Sequence, residues 1–78
     1  MIRKIVPGLA ASMMGKDPQF VRIGLQRGLL PFGDAILTVN RGRIKRYSYY
    51  ISPKAFMDYT GFTEADILAA AEKGGFTT

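Results

Sequence analysis

From Leu9 to Pro31 the apolar residues fall at helical spacing in two short runs, parted by a stop signal and a start signal. Ala10, Ala11 and Met14 share one face of the first run, with Ser12 and Lys16 turned away. Gly15 ends that run, because glycine leaves a helix through a left-handed conformation without steric cost. Asp17 opens the next: its carboxylate can accept the unpaired N–H groups of a first turn, and Pro18 stands where a missing N–H costs nothing. The second helix is expected over about Pro18 to Arg27, with Val21 and Leu25 turned inward and Gln19, Arg22 and Gln26 on another, polar face. Gly28 is placed to terminate it, and Leu30-Pro31 to lock its exit against the core. The pattern predicts a tight corner between two helices.

Before this corner, Met1 to Val6 mixes apolar and basic residues as a short strand or extended arm, closed by Pro7-Gly8. After it the period changes from helical to alternating. Ala35 to Val39 reads as a strand through Ile36, Thr38 and Val39, and Lys45 to Ile51 as its partner. Asn40-Arg41-Gly42-Arg43 lies between them and supplies an Asn and a Gly for positive φ, so the join is a β-hairpin. Tyr47, Tyr49 and Ile51 share one face of the second strand, Ser48 and Tyr50 the other. Ser52-Pro53 starts a third helix, in which Phe56, Met57 and Tyr59 are expected to be partly buried, and Gly61 ends it. Thr63 and Asp66 form a variant capping box for a last helix over Glu64 to Lys73, which Gly74-Gly75 terminates. Ile67, Leu68 and Ala71 make its apolar stripe. Phe20 and Ile23 add apolar bulk beside Arg22, and one of them is expected to be covered, by the last helix.

Length and composition narrow the chemistry. Seventy-eight residues predict a single domain, 1–78, near the lower size at which one apolar core holds a fold. Cysteine and histidine are absent, which removes disulfides, Cys/His zinc sites, thiol nucleophiles and imidazole acid–base chemistry. Asp17, Asp34, Asp58 and Tyr59 form no spaced acid–base pair or metal cluster, and there is no GxxxxGK[ST] loop. The expectation is a protein that is not an enzyme and takes no cofactor or metal. No apolar run reaches a membrane span and the first residues do not read as a signal peptide, so a cytoplasmic protein without membrane contact is expected.

The net charge of +5 is unevenly placed. Residues 1–57 carry ten Lys/Arg against Asp17 and Asp34, a net +8, while residues 58–78 carry Lys73 against Asp58, Glu64, Asp66 and Glu72, a net −3. Arg41, Arg43, Lys45 and Arg46 gather at or near the hairpin tip. A basic body of this kind predicts a polyanionic partner, nucleic acid being the usual one.

Taken together, Leu9-Ala10-Ala11 to Gly15, Val21 to Gly28, the Gly-x-Leu-Pro step of Gly28 to Pro31, and a hairpin ending Tyr50-Ile51-Ser52-Pro53-Lys54-Ala55-Phe56 resemble the small winged helix-turn-helix domains of phage and transposon excisionases. Those domains are similar to the DNA-binding domain of MerR-type regulators. The resemblance covers about residues 7 to 60 and implies an α+β fold: a winged helix-turn-helix with a two-stranded hairpin wing and C-terminal helices. Two features depart from the family pattern: Gly24, where a larger core residue is common, and a segment from Phe32 to Arg46 that is longer than a minimal wing.

The resemblance implies sequence-specific binding of double-stranded DNA, with Gln19, Arg22, Gln26 and Arg27 at the major groove. Arg41, Arg43, Lys45 and Arg46 would grip the backbone or the adjacent minor groove. The residue types suit these roles, since Arg and Gln each make two hydrogen bonds to one base, and hairpin cations displace counterions from phosphates. Ile23 is a candidate for contact with thymine methyl groups. An excisionase bends DNA at an attachment site of a mobile element and contacts an integrase, with cooperative self-association on DNA and the acidic last helix as a candidate contact surface. Alternatives are a MerR-like transcriptional regulator, a phage small-terminase-type module, or an RNA-binding module in which Tyr47, Tyr49, Tyr50 and Phe32 stack on unpaired bases.

Overall fold

A computed structural model of the chain describes residues 2–78. It is an α+β fold of four helices and one two-stranded antiparallel hairpin: α1 Pro7–Met14, α2 Pro18–Gln26, β1 Gly33–Arg41, β2 Ile44–Ile51, α3 Pro53–Thr60 and α4 Glu64–Gly74. Proline stands in the first turn of α1, α2 and α3, where its missing N–H is not needed. Pro7 and Gly8 therefore start α1 instead of closing the arm before it, as the sequence had suggested. Of that arm, Met1 lies outside the described residues, and residues 2–6 form no sheet strand. The arm is held by buried Ile5 and by the backbone N–H of Arg3 donating to the carbonyl of Thr78 at 3.2 Å.

The predicted caps form. The Asp17 carboxylate accepts from the backbone N–H of Gln19 at 2.8 Å, and Ser52 Oγ accepts from that of Ala55 at 3.3 Å. Thr63 and Asp66 close a reciprocal box at 3.2 and 2.9 Å. Gly15 ends α1 at φ +69° and Gly28 follows α2 at φ +67°.

The core lies where α1, α2, the base of the hairpin, α3 and α4 meet. Leu9, Val21, Phe32, Ile51, Phe56 and Ile67 are its largest fully buried side chains. Phe32 and Phe56 meet edge to face, with ring centres 5.1 Å apart and planes at 88°. Leu9 joins Ala10 and Ala11 in burial, so α1 is covered over a wide face, and α4 packs on it through Ile67 and Ala71. Leu68, expected in the α4 stripe, is 40% exposed, and Tyr59, expected to be partly buried, is 52% exposed with one edge on Phe32.

Gly24 is buried in α2, and a Cβ added there would come within 2.6 Å of Leu30 Cδ1. The missing side chain is thus the space into which Leu30 folds back. This accounts for glycine at a position where a larger residue was expected.

In the hairpin the strands pair from Gly33 opposite Ile51 to Arg41 opposite Ile44, with a bulge at Thr38 between Leu37 and Val39. The two-residue turn is Gly42-Arg43; Gly42 has φ +54° and Arg43 a negative φ, the pattern of a turn with glycine first. Asn40 is a paired strand residue, so the positive φ expected of it is not used. Only the base of the hairpin is buried. Of the strand residues Ile51 is buried, Gly33, Ala35, Val39, Tyr47 and Tyr49 are half-buried, and the rest are exposed. Strands of eight and nine residues reach about 27 Å at the usual rise, against about 16 Å for the 11-residue α4. The overall extents of 42 × 23 × 22 Å fit a hairpin that projects from a small helical body.

Candidate nucleic-acid interface

Val21, Gly24 and Leu25 define the inner side of α2, so Gln19, Phe20, Ile23, Gln26 and Arg27 all lie exposed, with Arg22 half-buried at the flank. Gln19, Ile23 and Gln26 follow one another at i, i+4 and i+7 and make the centre of the outer side. Arg22 and Arg27 border it. The expected packing of the last helix over Phe20 and Ile23 does not occur, because α4 is committed to α1. Phe20 is 46% and Ile23 38% exposed. Phe20 carries Lys16 instead, whose Nζ stands 5.4 Å from the ring centre, a cation–π contact that places a further positive charge at the start of this surface.

The hairpin stands beside α2. β1 packs against the helix, and Gln26 Nε2 donates a hydrogen bond of 2.6 Å to the Tyr49 hydroxyl. Tyr47 lies next along the same face, its ring centre 6.3 Å from that of Tyr49. Alternation along β2 puts Lys45 on this face too. Arg41, Ile44 and Arg46 fall on the opposite face, and Arg43 occupies the turn. All four hairpin cations are exposed. The cluster that looked like one patch along the chain is therefore divided: one charge toward α2, one at the tip, two on the far side.

The far face also exposes Ile36, Ile44 and Tyr50, at 58%, 56% and 53%. Phe32 is 1% exposed in the core, so it cannot stack on a base. Tyr47 and Tyr49 are half-buried, which leaves Tyr50 as the open aromatic of the strand. The contact of Tyr49 with Gln26 had no signal in the sequence: alternation puts Tyr49 on an inner face but does not say what that face meets.

Negative charge gathers on α4, which carries Glu64, Asp66 and Glu72 against Lys73, while α3 carries one charge of each sign, Lys54 and Asp58; Arg22 and Arg27 lie on α2 and its cap, and the hairpin carries four cations against Asp34. Among the described residues there is no cavity, no group of three His, Cys, Asp or Glu placed to hold a metal ion, and no helix long and apolar enough to cross a membrane. The chain matches no protein-family model, no curated protein and no solved structure.

Proposed function

We propose that this protein binds double-stranded DNA as a small winged helix-turn-helix, with α2 entering the major groove and the hairpin serving as the wing. The observation that carries the reading is the pairing of two surfaces: an outward side of α2 bearing Gln19, Arg22, Ile23, Gln26 and Arg27, and beside it a projecting hairpin bearing Arg41, Arg43, Lys45 and Arg46. A helix with bidentate side chains suits base edges; a long cationic ribbon suits phosphates or a minor groove. Lys45, on the α2 side, faces the same duplex as the helix, and Arg43 at the tip reaches furthest along it. Ile23, at the centre of the outer side of α2, suits a thymine methyl.

In this reading the biological role is that of an excisionase-type factor of a phage or transposon, which bends attachment-site DNA, associates cooperatively on it and meets an integrase in the cytoplasm. The acidic last helix, α4, is the surface left for such a protein contact. A domain of this size covers a short site, so neighbours on adjacent sites supply the specificity one copy lacks.

The test is a fluorescence-anisotropy titration of labelled random-sequence duplex at several salt concentrations, with single-stranded RNA as competitor. Duplex binding that weakens steeply with salt and resists the RNA is expected. Preference for the RNA would overturn the reading in favour of a single-strand binder. A circular-permutation gel on the bound site then examines the architectural role: full affinity from a lone protomer on unbent DNA would remove it.

A further inference from the structure

We infer that Tyr49 is a positioning residue that sets the base preference of Gln26 without touching DNA; the inference rests on the proposed duplex binding. A glutamine amide offers a carbonyl acceptor and two N–H donors, and free in solvent it turns to present either edge. Here one N–H is already committed to the Tyr49 hydroxyl at 2.6 Å. We place the N–H anti to the carbonyl on Tyr49, which leaves the carbonyl oxygen and the syn N–H side by side in the amide plane. That pair matches the N6 donor and N7 acceptor of adenine in a major groove.

The tether is itself held. Tyr49 is half-buried at the foot of the hairpin and opposite Ala35 in the register, with the Tyr47 ring alongside. The phenol therefore has a fixed address, and the exposed Gln26 inherits it. Gln19 has no corresponding side-chain bond among the described residues; its backbone N–H meets Asp17, and its amide is left to turn. Of the two glutamines on the outer side of α2, Gln26 is the one prepared to discriminate adenine, and Gln19 the one free to adapt.

The experiment is selection from a randomised duplex library, followed by sequencing of the bound pool. It compares wild type, Tyr49→Phe, Gln26→Ala, the double variant Tyr49→Phe/Gln26→Ala, and Tyr50→Phe as the same chemical change on the opposite face. Thermal melting of each variant by circular dichroism accompanies the selection. We expect one adenine position in the wild-type motif to depend on Gln26, with Gln26→Ala lowering preference there by about tenfold, the scale of one lost bidentate contact, and Tyr49→Phe lowering it by a smaller factor because Gln26 is retained. The rest of the motif stays. Tyr50→Phe leaves the whole motif in place, and Tyr49→Phe adds nothing once Gln26 is alanine, as residues acting through one contact do. A Tyr49→Phe motif identical to wild type, with Gln26→Ala altered, overturns the positioning role while the DNA-binding reading stands. A Gln26-dependent position that is not adenine overturns it as well. If wild type enriches no motif, the proposed sequence-specific binding fails and the inference falls with it; if Tyr49→Phe does not melt as a folded protein, an adenine position unaffected by Gln26→Ala overturns the inference alone.

Discussion

Gln26 and Tyr49 are 23 positions apart in the chain, yet the amide nitrogen of one lies 2.6 Å from the phenol oxygen of the other. The bond joins the end of α2 to the foot of the hairpin, so the two surfaces proposed to meet DNA have a set relative orientation. Both side chains are near solvent, and the bond's net contribution to stability is small, about 0.5 kcal/mol. Its effect is on geometry. Tyr49→Ala, which removes the ring as well, should raise amide hydrogen exchange across β1 and β2 while α1 and α4 keep their protection. Exchange unchanged in the strands would show that β1 packing on α2 alone orients the hairpin.

Arg22 and Arg43 should separate specificity from affinity. Arg22, at the flank of α2, is expected to read a base, and Arg22→Ala to cost about 1–3 kcal/mol on the preferred site while blurring one position. Arg43, at the turn, is expected to meet phosphate. Arg43→Ala should weaken all duplexes alike and reduce the salt slope by about 1. Equal losses on preferred and random duplex for both variants would end this division of labour.

Gly24 and Leu30 compete for one volume. An alanine in place of Gly24 gains about 1 kcal/mol in helix propensity but brings its Cβ to 2.6 Å from Leu30 Cδ1, and overpacking of that kind costs about 1–3 kcal/mol. Gly24→Ala should therefore be destabilising by about 1 kcal/mol in urea unfolding. The Cβ would also come to 2.8 Å from Leu30 Cγ, so with Leu30→Ala in the background, which removes both atoms, the collision is relieved and Gly24→Ala should cost nothing or stabilise. The same loss in both backgrounds would mean that Leu30 is not the obstacle.

Phe32 is the centre of the aromatic core, edge-on to Phe56 and touching Tyr59. Phe32→Ala is expected to cost about 3–5 kcal/mol, comparable to the whole stability of a chain this short. The variant should lose its cooperative thermal transition. Leu29→Ala, three residues earlier and 69% exposed, should stay within about 0.5 kcal/mol of wild type.

Thr63 and Asp66 hold each other's backbone N–H groups at the start of α4. Thr63→Ala should cost about 1 kcal/mol. Asp66→Ala should cost less than that once Thr63 is already alanine, since the two act as one reciprocal unit. Strict additivity in a double-mutant cycle would show two separate caps.

Much of the secondary structure was decided locally, and so could be read along the chain. Asp17-Pro18, Ser52-Pro53 and Thr63 through Asp66 start helices because a short polar side chain, joined by a proline in the first two and by the Asp66 carboxylate in the third, satisfies a first turn wherever the chain goes next. The alternation from Tyr47 to Ile51 likewise followed from the two-residue period of a strand. Local signals also misled at Pro7-Gly8, since proline opens a helix as readily as it closes an arm, and at Asn40, which pairs in β1 once Gly42-Arg43 makes the turn.

Only the tertiary structure decided which faces meet. Helical spacing cannot tell that α4 chooses α1 over Phe20 and Ile23, that Leu30 fills the space at Gly24, or that the hairpin face bearing Tyr49 is the one turned to α2. Each of these depends on the shape left by residues far away in sequence. The corner from Leu9 to Pro31 was determined by its own caps and glycines; its outward side, and the tyrosine that holds Gln26, were determined by what the rest of the chain left uncovered.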